Sequence, residues 1–313
     1  MDLNFMGELI KAVVSTLSAG MVKPSGMIWY CAERPLPKHT VGKSVMRIRL
    51  FCCLPFMLLA SCESVQTTQG GAVGVDRSQY MFSALSSNEV DQMAAESYNE
   101  MLAEAKNKKL LNTDAAMLKR LRTIADRLVK EVDHFRPDAR TWNWEVNLIK
   151  SDELNASCMP GGKILFYTGI VDKLKLTDDE IAQIMGHEIA HALREHGREA
   201  ISRAYTTQMG TQVIGSLLGL GEGTRQMADM AVQYGLMLPN SRSNETEADL
   251  IGLELAARAG YKPDAAVTLW QKMAGASQGQ PPAFMSTHPT SSGRIQNLQS
   301  NIPKVRPLYD AAK

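Results

Sequence analysis

"LTDDEIAQIMGHEIAHALREHG", residues 176–197, decides how this chain is read. Thr177 followed three residues later by Glu180 is the signature of a capping box. Ile181, Ile184, Met185, Ile189 and Leu193 then supply a largely apolar helix, which Gly197 is placed to end. Side chains four apart on a helix are offset by only about 40° around its axis. His187 and His191 therefore offer imidazole nitrogens to one ion. Glu188 lies beside His187 and reaches a water on that ion, which is the physical content of an H-E-x-x-H motif. Satisfied core histidines are the plainer reading, but they do not explain a glutamate inside so apolar a helix.

The third ligand sorts the alternatives. The extended metzincin pattern needs glycine three and histidine six residues beyond the second histidine. Those positions hold Arg194 and Gly197, so that class is excluded. On a continuous helix His196 sits about 140° from His191, which predicts a surface position. A carboxylate from another helix is the natural candidate, and "SRSNETEADLIGLELAARAGYKP", residues 241–263, supplies one. Ser243 or Asn244 caps this helix, and Gly260 with Pro263 closes it. Glu245 and Asp249 share a face, while Glu247 lies about 200° from Glu245 and is expected to be solvated. Glu245 is placed to coordinate, leaving an open fourth position. Asp249 is placed to hold a ligand imidazole by its outer nitrogen.

Upstream, the good helix formers of 88–106 predict a helix. Asn112 or Thr113 can cap another, in which Met117, Leu121, Ile124, Leu128 and Val132 share a face before Pro137 ends the segment. The period then changes. Trp142, Trp144, Val146 and Leu148 alternate with polar residues, as in a half-buried strand. "NASCMPGGKILFYTG", residues 155–169, reads as strand, Pro160-Gly161-Gly162 turn and strand. After residue 170 everything reads as helix or loop. The expected class is α+β, mostly helical, with a small sheet of about three strands beside the histidine helix.

Net charge is +1 and the charges are mixed in sign, so nothing points to nucleic acid. Four of the five cysteines lie at Cys31, Cys52, Cys53 and Cys62, and none has the paired spacing of a structural zinc or dithiol site. "MRIRLFCCLPFMLLASC", residues 46–62, has two arginines, a short apolar run and a small-residue end, the layout of a secretory signal. Leu59-Ala60-Ser61-Cys62 resembles a bacterial lipobox, which implies lipidation at Cys62 and loss of residues 46–61. Glu63 in place of aspartate favours the outer membrane. The expected organisation is a non-structural extension over 1–45, a signal peptide over 46–61, a flexible tether over 62–85, a catalytic domain over 86–305 and a tail over 306–313. Residues 276–287 have a composition that permits a lid.

Four stretches in order, "NASCMPGGKI" (155–164), "GHEIAH" (186–191), "SRSNETEAD" (241–249) and "THPTSSGRI" (287–295), resemble the HtpX-like and CAAX-prenyl-endopeptidase-like gluzincins, within them the soluble periplasmic or outer-membrane lipoprotein branch. The resemblance implies a zincin-like metallopeptidase core and one Zn2+ per chain held by His187, His191 and Glu245, with Glu188 as base. It also implies His288 and Arg294 near the site, where either can stabilise an oxyanion. The expected substrates are unfolded or misassembled envelope polypeptides. They would be bound as an added strand along Asn155–Met159 or Lys163–Tyr167, a region marked by Asn155, Ala156, Gly161 and Gly162. The expected location is the periplasm, lipid-anchored at the outer membrane, with its assembly machinery as a partner. The competing expectation is a latent or non-proteolytic chaperone in which His288 supplies a fourth ligand and closes the zinc site.

Overall fold

A computed structural model describes residues 62–83, 85–203, 241–276, 283–288 and 292–313. The extension over 1–45, the signal over 46–61 and the central part of the candidate lid (277–282) lie outside the described residues. The stretch expected to be a flexible tether is packed instead. Cys62–Val65 (β1) and Gln79–Phe82 (β2) pair antiparallel. Between and within them Val73, Val75 and Met81 are buried. Their apolar residues are scattered singly among glycines and carry no period. What fixes them is distant in sequence: the Gln69 amide donates to the Phe135 carbonyl, and the Val73 amide donates to the Glu254 carboxylate.

Ser87–Asn107 (α1) starts from a capping box made by Ser86 and Glu89. Ala115–Val129 (α2) is capped by Asp114, whose side chain accepts from the Met117 amide. Asn112 is not the cap, because its side chain is committed to strand pairing and accepts from the Leu148 amide at 2.8 Å. Glu145–Ile149 (β3), Ala156–Met159 (β4) and Lys163–Tyr167 (β5) form one sheet in the order β3-β5-β4. β3 runs parallel to β5, and β4 runs antiparallel to it. This corrects two expectations. β5 is the central strand and offers no free edge; of the two strands expected to form the edge, β4 is the one at the rim of the sheet. β3 is buried on both faces rather than one, because α1 covers the side opposite the main core. There the Asn147 amide donates to the Tyr98 hydroxyl at 2.8 Å, so its polar group is satisfied without water. Gly161 and Gly162 form the β4–β5 turn at φ 74° and 83°, a backbone region that favours glycine.

Thr168–Leu174 (α3) leads into Asp178–Leu193 (α4), the histidine helix, whose Thr177–Glu180 capping box is present as read. Arg242–Arg258 (α5), Ala265–Gly275 (α6), Ala283–Thr287 (α7) and Ser292–Ala311 (α8) complete the chain. The cap of α5 is Ser241, two or three residues earlier than expected. α4 is the axis of the fold and is buried almost throughout. α2, α5, α6 and β4 all pack on it. It does not run on to Gly197. It stops at Leu193, and Glu195 takes the left-handed conformation at φ 50°, which redirects the chain into a new helical stretch over 196–203.

α4 and α5 touch backbone to backbone. A Cβ on Gly252 would lie 2.6 Å from the His187 amide nitrogen, and one on Gly186 would lie 2.8 Å from the Gly252 carbonyl oxygen. This approach brings the helix carrying Glu245 within bonding range of the helix carrying the histidines. Gly252→Ala is expected to force the helices apart and destabilise the fold by about 1–3 kcal/mol, the usual cost of overpacking. Chemical unfolding of the metal-free protein measures it; an unchanged midpoint would mean the helices accommodate the methyl group. Among the described residues no helix is long and apolar enough to cross a membrane.

Candidate metal centre

One turn of α4 presents His187, Glu188 and His191, and the first turns of α5 present Glu245 and Asp249. His288 follows α7, and Arg294 comes from α8. All are buried. The His187 and His191 Nε2 atoms are 3.1 Å apart. Glu245 Oε2 is 3.5 Å from His187 Nε2, and Glu245 Oε1 is 3.3 Å from His191 Nε2. Imidazole and carboxylate ligands hold a tetrahedral Zn2+ at about 2.0–2.2 Å. The edges of such a tetrahedron are roughly 3.3–3.5 Å, so these separations suit a small divalent ion at their centre. His288 Nδ1 lies 3.2 Å from His187 Nε2 and 2.9 Å from Glu245 Oε1. The four residues together offer donor atoms all within 4.8 Å of one another. Three imidazoles and a carboxylate converging in a buried space are the donor set for such an ion.

The electrostatics agree. Burial alone would raise the Glu245 carboxyl, but His288, His187 and His191 around it drive it far below the usual carboxylate range. Burial lowers the His187 imidazole, yet hydrogen bonds to Asp249 and Glu245 outweigh this and lift it to about 9 in the metal-free protein. Burial holds His191 well below its ordinary value, so it is neutral, as a ligand must be. His187 Nδ1 is 3.0 Å from Asp249 Oδ1. That places Asp249 on the outer nitrogen of a ligand histidine.

Glu188 stands apart from the donors. It is buried, and its Oε1 has no hydrogen-bond partner. His288 Nε2, at 3.4 Å, is close but does not satisfy it. An orphaned carboxylate oxygen at this depth marks a place for a polar group that is not part of the chain. Burial raises the Glu188 carboxyl, which suits a group that must take up a proton. The Cys158 backbone amide donates to the same carboxylate, so the edge strand β4 runs directly past Glu188. Asn155 precedes β4 and turns its side-chain oxygen back to accept from the Ala156 amide. Gly161 and Gly162 lie in the turn beyond the strand rather than along its edge.

The chain matches the model of peptidase family M48 over residues 115–302, which contains every ligand candidate. It belongs to that family. It is 37% identical over 165 residues to the mitochondrial metalloendopeptidase OMA1 of Schizosaccharomyces pombe, covering 52% of this chain and 48% of that protein. It is 31% identical over 222 residues to the mitochondrial metalloendopeptidase OMA1 of Bos taurus, covering 66% and 41%. It is 28% identical over 172 residues to the β-barrel assembly-enhancing protease of Escherichia coli, covering 51% and 35%. The chain thus spans about half the length, or less, of these curated relatives.

Within this M48 core, several residues hold roles that the sequence did not reveal. Arg294 does not face outward toward an incoming carbonyl, as an oxyanion donor would. Its guanidinium bridges Glu245 Oε2 at 2.8 Å and Asp249 Oδ1 at 2.7 Å and lies 3.6 Å over the Trp270 ring. Arg294 therefore fixes the two carboxylates of α5. Phe284 stacks on His288 with centroids 4.6 Å apart, and its amide donates to the Leu154 carbonyl just before the edge strand. Trp270 and Phe284 carry no motif, because any apolar residue at a core spacing looks the same.

His196 and Glu247 are corrected outright. Both are buried. His196 Nδ1 lies 2.9 Å from His191 Nδ1, and its Nε2 lies 3.2 Å from Glu247 Oε2. The surface position assumed one unbroken helix, and the turn at Glu195 swings His196 back behind His191. Glu247 is far from Glu245 around α5, but Arg77 and Arg194 meet it there. Arg194 donates to Glu247 at 2.8 Å, and Arg77 contacts both Glu247 and Glu199.

Proposed function

We propose that this chain is a zinc-dependent endopeptidase that hydrolyses peptide bonds of unfolded or misassembled envelope proteins. The observation that carries the reading is the convergence of His187, His191 and Glu245 at tetrahedral spacing beside a buried glutamate with an unpartnered oxygen. Zinc held there supplies a Lewis acid that acidifies water and polarises a carbonyl. Glu188 takes the proton from the attacking water and is placed to pass it to the leaving amine. Asp249 and Arg294 keep the ligand side chains aimed. The outer edge of β4 accepts the substrate backbone as an additional strand. That mode reads main chain more than side chains and suits extended, unfolded segments. It is also consistent with relatives whose names place one group in mitochondria and another in β-barrel assembly.

The lipobox over residues 59–62 supports anchoring through Cys62 at the outer membrane, facing the periplasm, in reach of outer-membrane assembly machinery. β1 begins at Cys62 itself, so the anchor would hold the catalytic domain close to the bilayer. The mass of the mature N-terminus tests this: a diacylated Cys62 supports it, and an unmodified upstream start removes it.

A second reading has its own observation. His288 Nδ1 occupies a fourth vertex of the donor cluster, and a four-coordinate structural site has no open position. In this form the peptidase is latent until His288 moves. Zinc content and casein cleavage of wild type and His288→Ala separate the two. Active wild type that loses cleavage in the variant makes His288 part of the active form. Weak wild type and a gain of at least tenfold in the variant establish latency. A wild type that holds no zinc contradicts both.

A further inference from the structure

We propose that His196, oriented by Glu247, is a positioning residue that sets the tautomer and aim of the metal ligand His191. The inference rests on the zinc reading above and concerns how the apo site is held ready. His191 Nε2 belongs to the donor cluster, 3.1 Å from His187 Nε2 and 3.3 Å from Glu245 Oε1. A nitrogen that binds a metal must present a lone pair, so the single proton of neutral His191 sits on Nδ1. That atom faces His196 Nδ1 at 2.9 Å. Only one proton fits between them, and it belongs to His191. His196 Nδ1 must therefore accept, and its own proton lies on Nε2, 3.2 Å from Glu247 Oε2. Each assignment forces the next, and all three polar contacts are satisfied by one choice.

The two ligand histidines are thus held differently. His187 is backed directly by the carboxylate of Asp249. His191 is backed by a neutral ring, with the carboxylate one ring further out. Glu245 already places a carboxylate beside His191, and a second in direct contact would add like charge to a buried space. The imidazole passes on the orienting pull of Glu247 while keeping its charge at a distance. Glu247 is itself held by Arg194, which is fully buried, and by Arg77. Arg77 lies in the loop between β1 and β2 and also donates to Glu199 at 2.7 and 3.0 Å. The N-terminal arm is thereby wired to the ligand set through four side chains.

A histidine that merely fills space would be replaced best by an apolar residue of similar volume. A relay needs an acceptor at the Nδ1 position. His196→Leu keeps volume without an acceptor, and His196→Asn places an oxygen where Nδ1 was. Zinc affinity of the full chain, measured by competition with a chromogenic chelator, is expected to fall roughly 10- to 100-fold in His196→Leu. His196→Asn should stay closer to wild type. Leu binding zinc as tightly as wild type, or better than Asn, overturns the proposal. Should His196→Leu fail to fold, 15N spectra of the imidazoles in zinc-loaded wild type decide alone. They are expected to show His196 protonated at Nε2 with a free Nδ1; the opposite tautomer overturns the relay. A wild type that takes up no zinc removes the metal reading itself, an outcome distinct from loss of the relay.

Discussion

Glu188→Gln is expected to lower kcat/KM for an unfolded protein substrate by roughly 10²–10⁴-fold, the usual contribution of a positioned general base, while zinc content stays at one per chain. The amide keeps the shape of the carboxyl group and its contact with the Cys158 amide. It removes the only property the mechanism needs there, which is the capacity to accept a proton. Glu188 lies outside the donor cluster, so the metal should not be lost with the activity. The separation of the two readouts carries the argument. Cleavage within about tenfold of wild type would remove Glu188 from the mechanism. Loss of zinc in parallel with activity would make it a ligand instead.

Arg294→Met is expected to cost about 3–5 kcal/mol of folding stability in the metal-free protein, the range for breaking a buried ion pair by removing one partner. The side chain is buried, and its fork engages Glu245 and Asp249 together. Methionine fills part of the volume and can still pack on Trp270, so the loss reports charge more than packing. Two carboxylates would remain in a dry space, with imidazoles as the nearest groups able to carry positive charge among the described residues. Arg294→Lys restores the charge without the planar fork and should recover only part of the loss. Urea unfolding after chelation measures it. A cost below about 1 kcal/mol would mean that the histidines already neutralise the pair.

The parts of this molecule that repeat a period are legible in the sequence alone. α4 announced itself through its capping box and apolar spacing, and Glu245 with Asp249 through their common helical face. The β4–β5 hairpin followed from Pro160-Gly161-Gly162. What escaped was set by single residues without a compositional mark. Glu195 adopts a left-handed backbone that a glycine would have advertised, so helical spacing extrapolates the phase of His196 from a helix that has already ended. Helical spacing alone points Glu247 to solvent because its partners, Arg77 and Arg194, come from segments with no sequence relation to α5. The composition of 62–85 reads as a tether because burial of Val73, Val75 and Met81 depends on contacts to Phe135 and Glu254, which no local pattern carries. The central position of β5 rests on a parallel pairing with β3, and strand order is invisible to alternation.

The central claim is that two imidazoles from α4 and one carboxylate from α5 bind a single divalent ion with room left for water. Anomalous diffraction at the zinc edge from crystals of the zinc-loaded protein tests it most directly. One strong peak is expected about 2.0–2.2 Å from His187 Nε2, His191 Nε2 and a Glu245 oxygen. No peak among these three side chains, or a peak bonded to the imidazoles with Glu245 beyond reach, would contradict it.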